Sequence, residues 1–316
     1  MPLTTTFAYA RHALVAALRH LGARPGDVVA LPEFICRDVL ASLHHVGVRP
    51  HYYPIGRDLR PLDSSIDKTT RFVLMVNYFG FPQNVSEFRV KWPNAQIIED
   101  NAHGFLGRDE FGVDLGSRTE AGITSCRKTI MLPDGALLRI ASDGDQLISD
   151  TIDARTPPLS FRIRSLSSRL ERASDIPINF ALRTMLRAIR KGWTGSSLPR
   201  SDDRSETELP KDVYMSRLAS KILGNVDRDR EVERRRRLFR EFLSFASDHN
   251  VRSVFNELPA GCAPYGFPFF AESSIPSLEQ FARRQHCEVI RWPDLPRAVS
   301  VSADHYYRLV HVVNFL

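Results

Sequence analysis

Apolar positions in the first half of the chain fall into two alternating patterns. From Tyr9 to Leu21 they recur at helical spacing and stop at Gly22. Pro25-Gly26-Asp27 then turns the chain into a short β-rich run, Val28 to Leu31. A second helix is expected over Arg37 to His45, closing at Gly47, where glycine suits the left-handed residue that ends helices. Further strands are expected at Arg49 to Tyr53, Arg71 to Val76, Gln96 to Glu99 and Ala136 to Ile140. Helices alternating with such strands predict an α/β fold with a mainly parallel sheet flanked by helices. In such sheets ligands gather beyond the carboxyl ends of the strands. Chemistry is therefore expected at Asn77, at Asp100 and in the loop before Lys128.

The second half reads differently. Between Asp150 and Lys211 the composition shifts to Ser, Arg and Pro, with one amphipathic basic helix expected at Asn179 to Lys191. A long helix is expected from Val213 to Phe245, interrupted near Gly224, and it carries the run Arg234 to Arg237. Four successive helical residues point in different directions, so this run predicts a solvated face or salt bridges with Glu231, Glu233 and Glu241. It does not suggest a nucleic-acid surface. Strands near Phe267 to Ala271 and a helix from Ser277 to Gln285 suit a small α+β domain. The expected division is a large domain over residues 1–211, with 151–211 as a variable segment, and a bridging helix with a small domain over 212–316.

Composition narrows the class. The chain has 316 residues, 43% hydrophobic and 25% charged, as expected of a soluble two-domain enzyme. Ala8 to Leu21 is interrupted by Arg11, His12 and Arg19, so it reads as an amphipathic helix rather than a leader. No stretch approaches the roughly 18 apolar residues of a membrane span, so stable membrane insertion is not expected. Cys36, Cys126, Cys262 and Cys287 are widely spaced, which suggests neither a disulfide framework nor a metal site, and fits a reducing cytoplasm. A formal net charge of +6 is compatible with phosphorylated or nucleotide-linked substrates.

The strongest chemical signal is the run Ile97-Ile98-Glu99-Asp100-Asn101-Ala102-His103-Gly104, followed downstream by Ser125-Cys126-Arg127-Lys128. An apolar strand delivers a carboxylate at its end, and a lysine follows. This pairing suits pyridoxal 5′-phosphate (PLP). That cofactor needs a carboxylate to keep its pyridine nitrogen protonated and an amine to hold it covalently and shuttle a proton.

Val28 to Leu138 resembles the DegT/DnrJ/StrS family of PLP-dependent sugar aminotransferases. The resemblance rests on Val28-Val29-Ala30-Leu31-Pro32, Val46-Gly47, Asn77-Tyr78-Phe79-Gly80, the Glu-Asp-x-Ala-His run and the spacing of Lys128 to Gly135. It extends to Tyr265 to Phe270 and to Trp292-Pro293-x-Leu295-Pro296. It implies a fold-type I PLP-transferase with Lys128 as the Schiff-base lysine. Asp100 would meet the pyridine nitrogen, His103 the ring or its 3′-oxygen, and Asn77 that same oxygen. Ser125 would bind the phosphate together with the helix start at Ala10 and Arg11. Cys36 stands where many members place a ring-stacking aromatic. The family's Glu-Gly-Gly is Asp134-Gly135-Ala136 here, and Ser125 lies closer to Lys128 than the family serine does. The resemblance further implies a homodimer that aminates a keto-sugar, nucleotide-linked in the family's manner, with glutamate or a similar donor, in polysaccharide or natural-product assembly. Members that act as dehydratases replace the lysine with histidine, which this chain does not. A cofactor-free binding protein that kept the fold is the reading from a different class.

Overall fold

The computed structural model describes residues 3–62, 69–141, 152–159, 161–163, 165–167, 203–272 and 275–316. The basic helix expected at Asn179 to Lys191 lies outside them.

Seven strands form the main sheet: β1 (Leu3–Phe7), β2 (Val28–Pro32), β3 (Arg49–Tyr53), β4 (Thr70–Val76), β5 (Gln96–Asn101), β6 (Ala121–Thr124) and β7 (Ala136–Ile140). Their order is β1-β7-β6-β5-β4-β2-β3. Neighbours from β3 through β6 pair parallel, whereas β7 runs antiparallel to both β6 and β1. Strands β2 and β6 are buried along their whole length, as expected of strands covered on both faces. Helices α1 (Ala10–His20), α2 (Leu40–Val46) and α3 (Val85–Lys91) accompany this sheet. Gly47 ends α2 at φ +81°, the left-handed cap anticipated from the sequence.

The expected long helix is two helices. Ser216 caps α4 (Arg217–Gly224) by accepting from the Ala219 N–H, and Asp227 caps α5 (Arg228–Asp248) by accepting from the Arg230 N–H. Each side chain satisfies a backbone donor that a helix start leaves open, so the chain restarts after Gly224 instead of running through. Beyond α5, strands β8 (Arg252–Ser253), β9 (Gly266–Phe270), β10 (Glu288–Arg291) and β11 (Val310–Asn314) form an antiparallel sheet in the order β10-β11-β9-β8. Helices α6 (Pro276–Arg284) and α7 (Arg297–Ser300) complete this part.

Aromatic side chains fuse the two sheets into one core. Phe81 stacks on Phe255 at 3.9 Å between ring centres and leans on Phe239 of α5, while Phe34 meets both Trp292 and Tyr307. Each such pair contributes about 0.5–1.5 kcal/mol beyond burial of its area.

The arginine run of α5 makes the expected ion pairs and adds to them hydrogen bonds to carbonyls of distant loops. Arg235 is 0% exposed and pairs with Glu231 at 2.7 Å. Its guanidinium donates to the carbonyls of Thr129, Pro264 and Tyr265. Arg236 donates to the carbonyls of Pro259 and Cys262, and Arg234 to that of Phe315. These residues staple loops to the helix, because a guanidinium can satisfy several buried carbonyls at once. Arg234 and Arg235 thus make the expected ion pairs with Glu231, and Arg237 makes the expected exposed one, 3.9 Å from Glu241.

Candidate active site

The carboxyl ends of β2, β4, β5 and β6 converge on a cavity of about 140 Å³. Lys128, Asp100, His103, Ser125, Asn77, Ala10, Arg11 and Cys36 all line it. Residues far apart in sequence meet here because parallel strands release their chains at the same sheet edge.

Asp100 is the last-but-one residue of β5 and is buried. One carboxylate oxygen accepts from the Ala102 N–H at 2.9 Å. Burial raises its pKa, and that hydrogen bond and the charge of Lys128 pull the other way. Lys128 closes the single 3-10 turn Cys126–Lys128 that follows β6, and its Nζ lies 3.2 Å from His103 Nε2. Burial lowers the lysine pKa, with Cys36 and Asp100 opposing the shift, and burial holds His103 well below its ordinary 6.5. The imidazole is thus neutral at neutral pH, and the amine gives up its proton more readily than a surface lysine does.

His103 is held by rings. It stacks on Tyr265 at 4.6 Å and on Phe79 at 5.7 Å, and Trp292 meets it edge-on at 5.1 Å. Phe79 adopts φ +54° in the turn Tyr78–Gly80, a left-handed conformation that costs a bulky residue about 1–3 kcal/mol. Gly80 follows at φ +87°, and a Cβ there would lie 2.7 Å from the Ala263 carbonyl oxygen. That close approach explains the glycine of the Asn77-Tyr78-Phe79-Gly80 segment.

Asn77 requires a correction. Its Nδ2 donates to Glu99 Oε1 at 2.7 Å and to Asn101 Oδ1 at 3.3 Å, while its Oδ1 accepts from the Gln83 N–H and from Arg118. An amide has two donors and two acceptor sites. All four are occupied, so no group remains to hydrogen-bond a cofactor's 3′-oxygen. The cause is strand alternation: Val76 pairs with Asp100 on the cavity face, and the Asn77 side chain turns to the opposite one although the residue still borders the cavity.

The phosphate end also differs in detail. Helix α1 starts at the cavity as expected, and the N-cap residue Tyr9 lines it with Ala10 and Arg11. Arg11, however, lies 3.5 Å from Asp38, another lining residue. Cys36 is half-buried at the wall, where burial raises its thiol pKa. Sequence reasoning gave no role to Arg127, Tyr9 or Asp38, all of which line the cavity. Arg127 stood beside Lys128 in the quoted motif, which was the available signal.

The site suits PLP. A buried carboxylate with one oxygen bonded only by its own turn, a desolvated amine, a buried serine hydroxyl and a helix start are the groups that such a cofactor engages. Among the described residues no cluster of His, Cys, Asp and Glu could hold a metal ion.

Residues 3–142 match the model of the DegT/DnrJ/EryC1/StrS aminotransferase family. No curated protein sequence matches the chain. Among solved structures, DesV of S. venezuelae, in complex with a ketimine intermediate, is 18% identical with a TM-score of 0.62, covering 98% of this chain and 79% of that one. The aminotransferase TlmJ of Streptoalloteichus hindustanus is 17% identical with a TM-score of 0.61, over the same shares of 98% and 79%. A GDP-4-keto-6-deoxymannose-3-dehydratase with a trapped PLP-glutamate geminal diamine is 16% identical with a TM-score of 0.59, covering 98% and 83%. These likenesses establish the fold over almost the whole chain. The likeness to the DegT/DnrJ/EryC1/StrS aminotransferase family thus lies in residues 3–142, and the chain as a whole shares the fold-type I frame of these solved structures.

Proposed function

We propose that this protein is a PLP-dependent aminotransferase that converts a keto-sugar, carried on a nucleotide, into an amino-sugar with glutamate as donor. The observation that carries the reading is the convergence of Asp100, His103 and Lys128 on one cavity at the strand ends. Bound PLP supplies the electron sink that lets a proton leave the substrate carbon. Asp100 holds the proton on the ring nitrogen. The Lys128 amine anchors the cofactor and moves a proton, and the lowered pKa of Lys128 keeps more of it in the neutral form that this needs. His103 Nε2 orients that amine.

The nucleotide-linked substrate is supported by the name of the dehydratase neighbour and by the net charge of +6, and glutamate as donor by that neighbour's trapped adduct. Polysaccharide or natural-product assembly in the cytoplasm, as a homodimer, follows the family resemblance. Among the described residues no helix is long and apolar enough to cross a membrane. Residues 1–211 would hold the cofactor and 212–316 would cover it.

A cofactor-free protein on the same fold is the second reading. The saturated amide of Asn77 and the engagement of Arg11 by Asp38 favour it. The absorbance of protein purified with PLP, before and after borohydride, separates the two. A visible band that borohydride bleaches in wild type, and that is absent from Lys128→Ala, supports the aminotransferase. Folded wild type with no band at saturating PLP supports the cofactor-free protein.

A further inference from the structure

We infer that Arg127, and not Arg11, is the guanidinium that receives the cofactor's phosphate in this chain. The inference rests on the PLP reading above.

Arg127 sits at the centre of the turn Cys126–Lys128, with its backbone N–H directed to the Gly135 carbonyl. Its side chain extends to the start of α1, where the guanidinium carbon stands 5.1 Å over the ring of Tyr9. Tyr9 is the N-cap of α1, and its side chain makes no capping hydrogen bond. The first backbone donors within α1, those of Ala10 and Arg11, precede the point where intrahelical bonding begins, since the Tyr9 carbonyl is taken by His12 and Ala13. Guanidinium and helix start therefore face the same corner of the cavity. Ser125, 2% exposed, lines that cavity too.

Charge separates the two arginines. Arg11 has Asp38 at 3.5 Å. Arg127 has no carboxylate within ion-pair distance among the described residues, and its buried Nε makes no hydrogen bond. A half-buried cation whose opposing carboxylate, Asp38, stays beyond ion-pair distance is only weakly compensated, and burial lowers its pKa accordingly. A phosphate monoester carries the missing charge and offers several acceptor oxygens to a planar guanidinium beside helix N–H groups. Occupation of the corner would remove the penalty. The position of Ser125, nearer to Lys128 than in the family, fits a cradle rebuilt around the residue between them.

The test compares PLP with pyridoxal, which lacks the phosphate, in titrations followed by tryptophan fluorescence and by absorbance. Proteins are wild type, Arg127→Met, Arg127→Lys and Arg11→Met. Charge-assisted hydrogen bonds of this kind correspond to about 10- to 100-fold in affinity. Arg127→Met is expected to weaken PLP by that factor, to leave pyridoxal within about threefold and to erase the preference for PLP. Arg127→Lys is expected to fall between, and Arg11→Met to weaken PLP less than Arg127→Met does. The cofactor-free Tm of Arg127→Met is expected to equal or exceed that of wild type, because an unpaired charge is removed. Equal losses for both ligands, or a larger loss in Arg11→Met, overturn the inference. So does unchanged PLP affinity with a raised KM for glutamate, which would assign Arg127 to the donor carboxylate. Wild type that prefers PLP no more than pyridoxal also overturns it while leaving the cofactor reading intact. Wild type that binds neither ligand removes both.

Discussion

Lys128 Nζ lies 3.2 Å from His103 Nε2, and the imidazole that makes this contact is stacked on Tyr265 and Phe79. Because burial keeps the ring neutral, the histidine can orient the lysine without adding a second positive charge. His103→Phe should preserve the ring stack and lose the nitrogen. The borohydride-sensitive band is expected to persist, while single-turnover proton transfer slows by about 10²-fold. A variant with wild-type single-turnover rate would show that the contact is only packing.

Asp100 predicts an opposition between stability and function. Burial raises its pKa above the ordinary 3.8, with the Ala102 hydrogen bond and Lys128 partly offsetting the shift. Between the ordinary and the raised value the folded chain binds more protons than the unfolded one, so stability falls as pH rises through that window. The deficit is fully present once pH exceeds the raised value. Asp100→Asn should therefore raise the Tm of the cofactor-free protein at pH 7, by about 2–4 °C for each kcal/mol relieved, while weakening PLP binding. A lower Tm for the variant at pH 7 would contradict the desolvation account.

The arginines of α5 should differ sharply in urea denaturation. Arg235→Met strands three buried carbonyls, those of Thr129, Pro264 and Tyr265, and is expected to destabilise by about 3 kcal/mol. Glu231 keeps Arg234 as a partner in that variant, so the loss measures the carbonyls more than an orphaned carboxylate. Arg237→Met removes an exposed pair at 3.9 Å and should cost less than about 1 kcal/mol. Similar losses for both would remove the distinction between staple and surface pair.

Cys36 offers a cheap report on the cavity. All four cysteines are free, three are buried and Cys36 is half-buried. Burial raises its thiol pKa, so modification by Ellman's reagent should be slow at pH 7 and quicken toward alkaline pH as thiolate forms. One thiol per native chain is expected to react, Cys36→Ser should abolish the signal, and saturating PLP should retard it. Labelling indifferent to PLP would place the cofactor elsewhere.

Local chemistry made much of this architecture legible. Strands β3 and β7 fall where the β-rich runs at Arg49 to Tyr53 and Ala136 to Ile140 put them, and Gly47 ends α2 as its residue type requires. The strands that escaped detection are those whose stability is non-local. β6 has four residues including Gly122, where a Cβ would collide with the Gly116 carbonyl, and β1 gains its identity from pairing with β7 across most of the domain's sequence. Helix α3 did leave a local trace, since Asn84 caps it through the N–H groups of Ser86 and Glu87. Nothing in a run of four arginines says which one is buried, because loops from elsewhere in the chain decide it. Asn77 was decipherable in principle, as alternation along β4 places Val76 and Asn77 on opposite faces.

That alternation makes the neighbouring carboxylates of β5 a guard on strand alignment. Asp100 enters the cavity, whereas Glu99, fully buried, receives Arg118 at 2.6 Å together with Asn77. A slip by one residue would exchange them, leaving Arg118 to reach for a shorter side chain and burying a longer carboxylate against Lys128. Each misaligned state would hold unmatched charge in the interior, so the Arg118 network excludes them before any ligand arrives. Correct placement of the acid that faces the cavity is thereby enforced from the side of the sheet that never touches it.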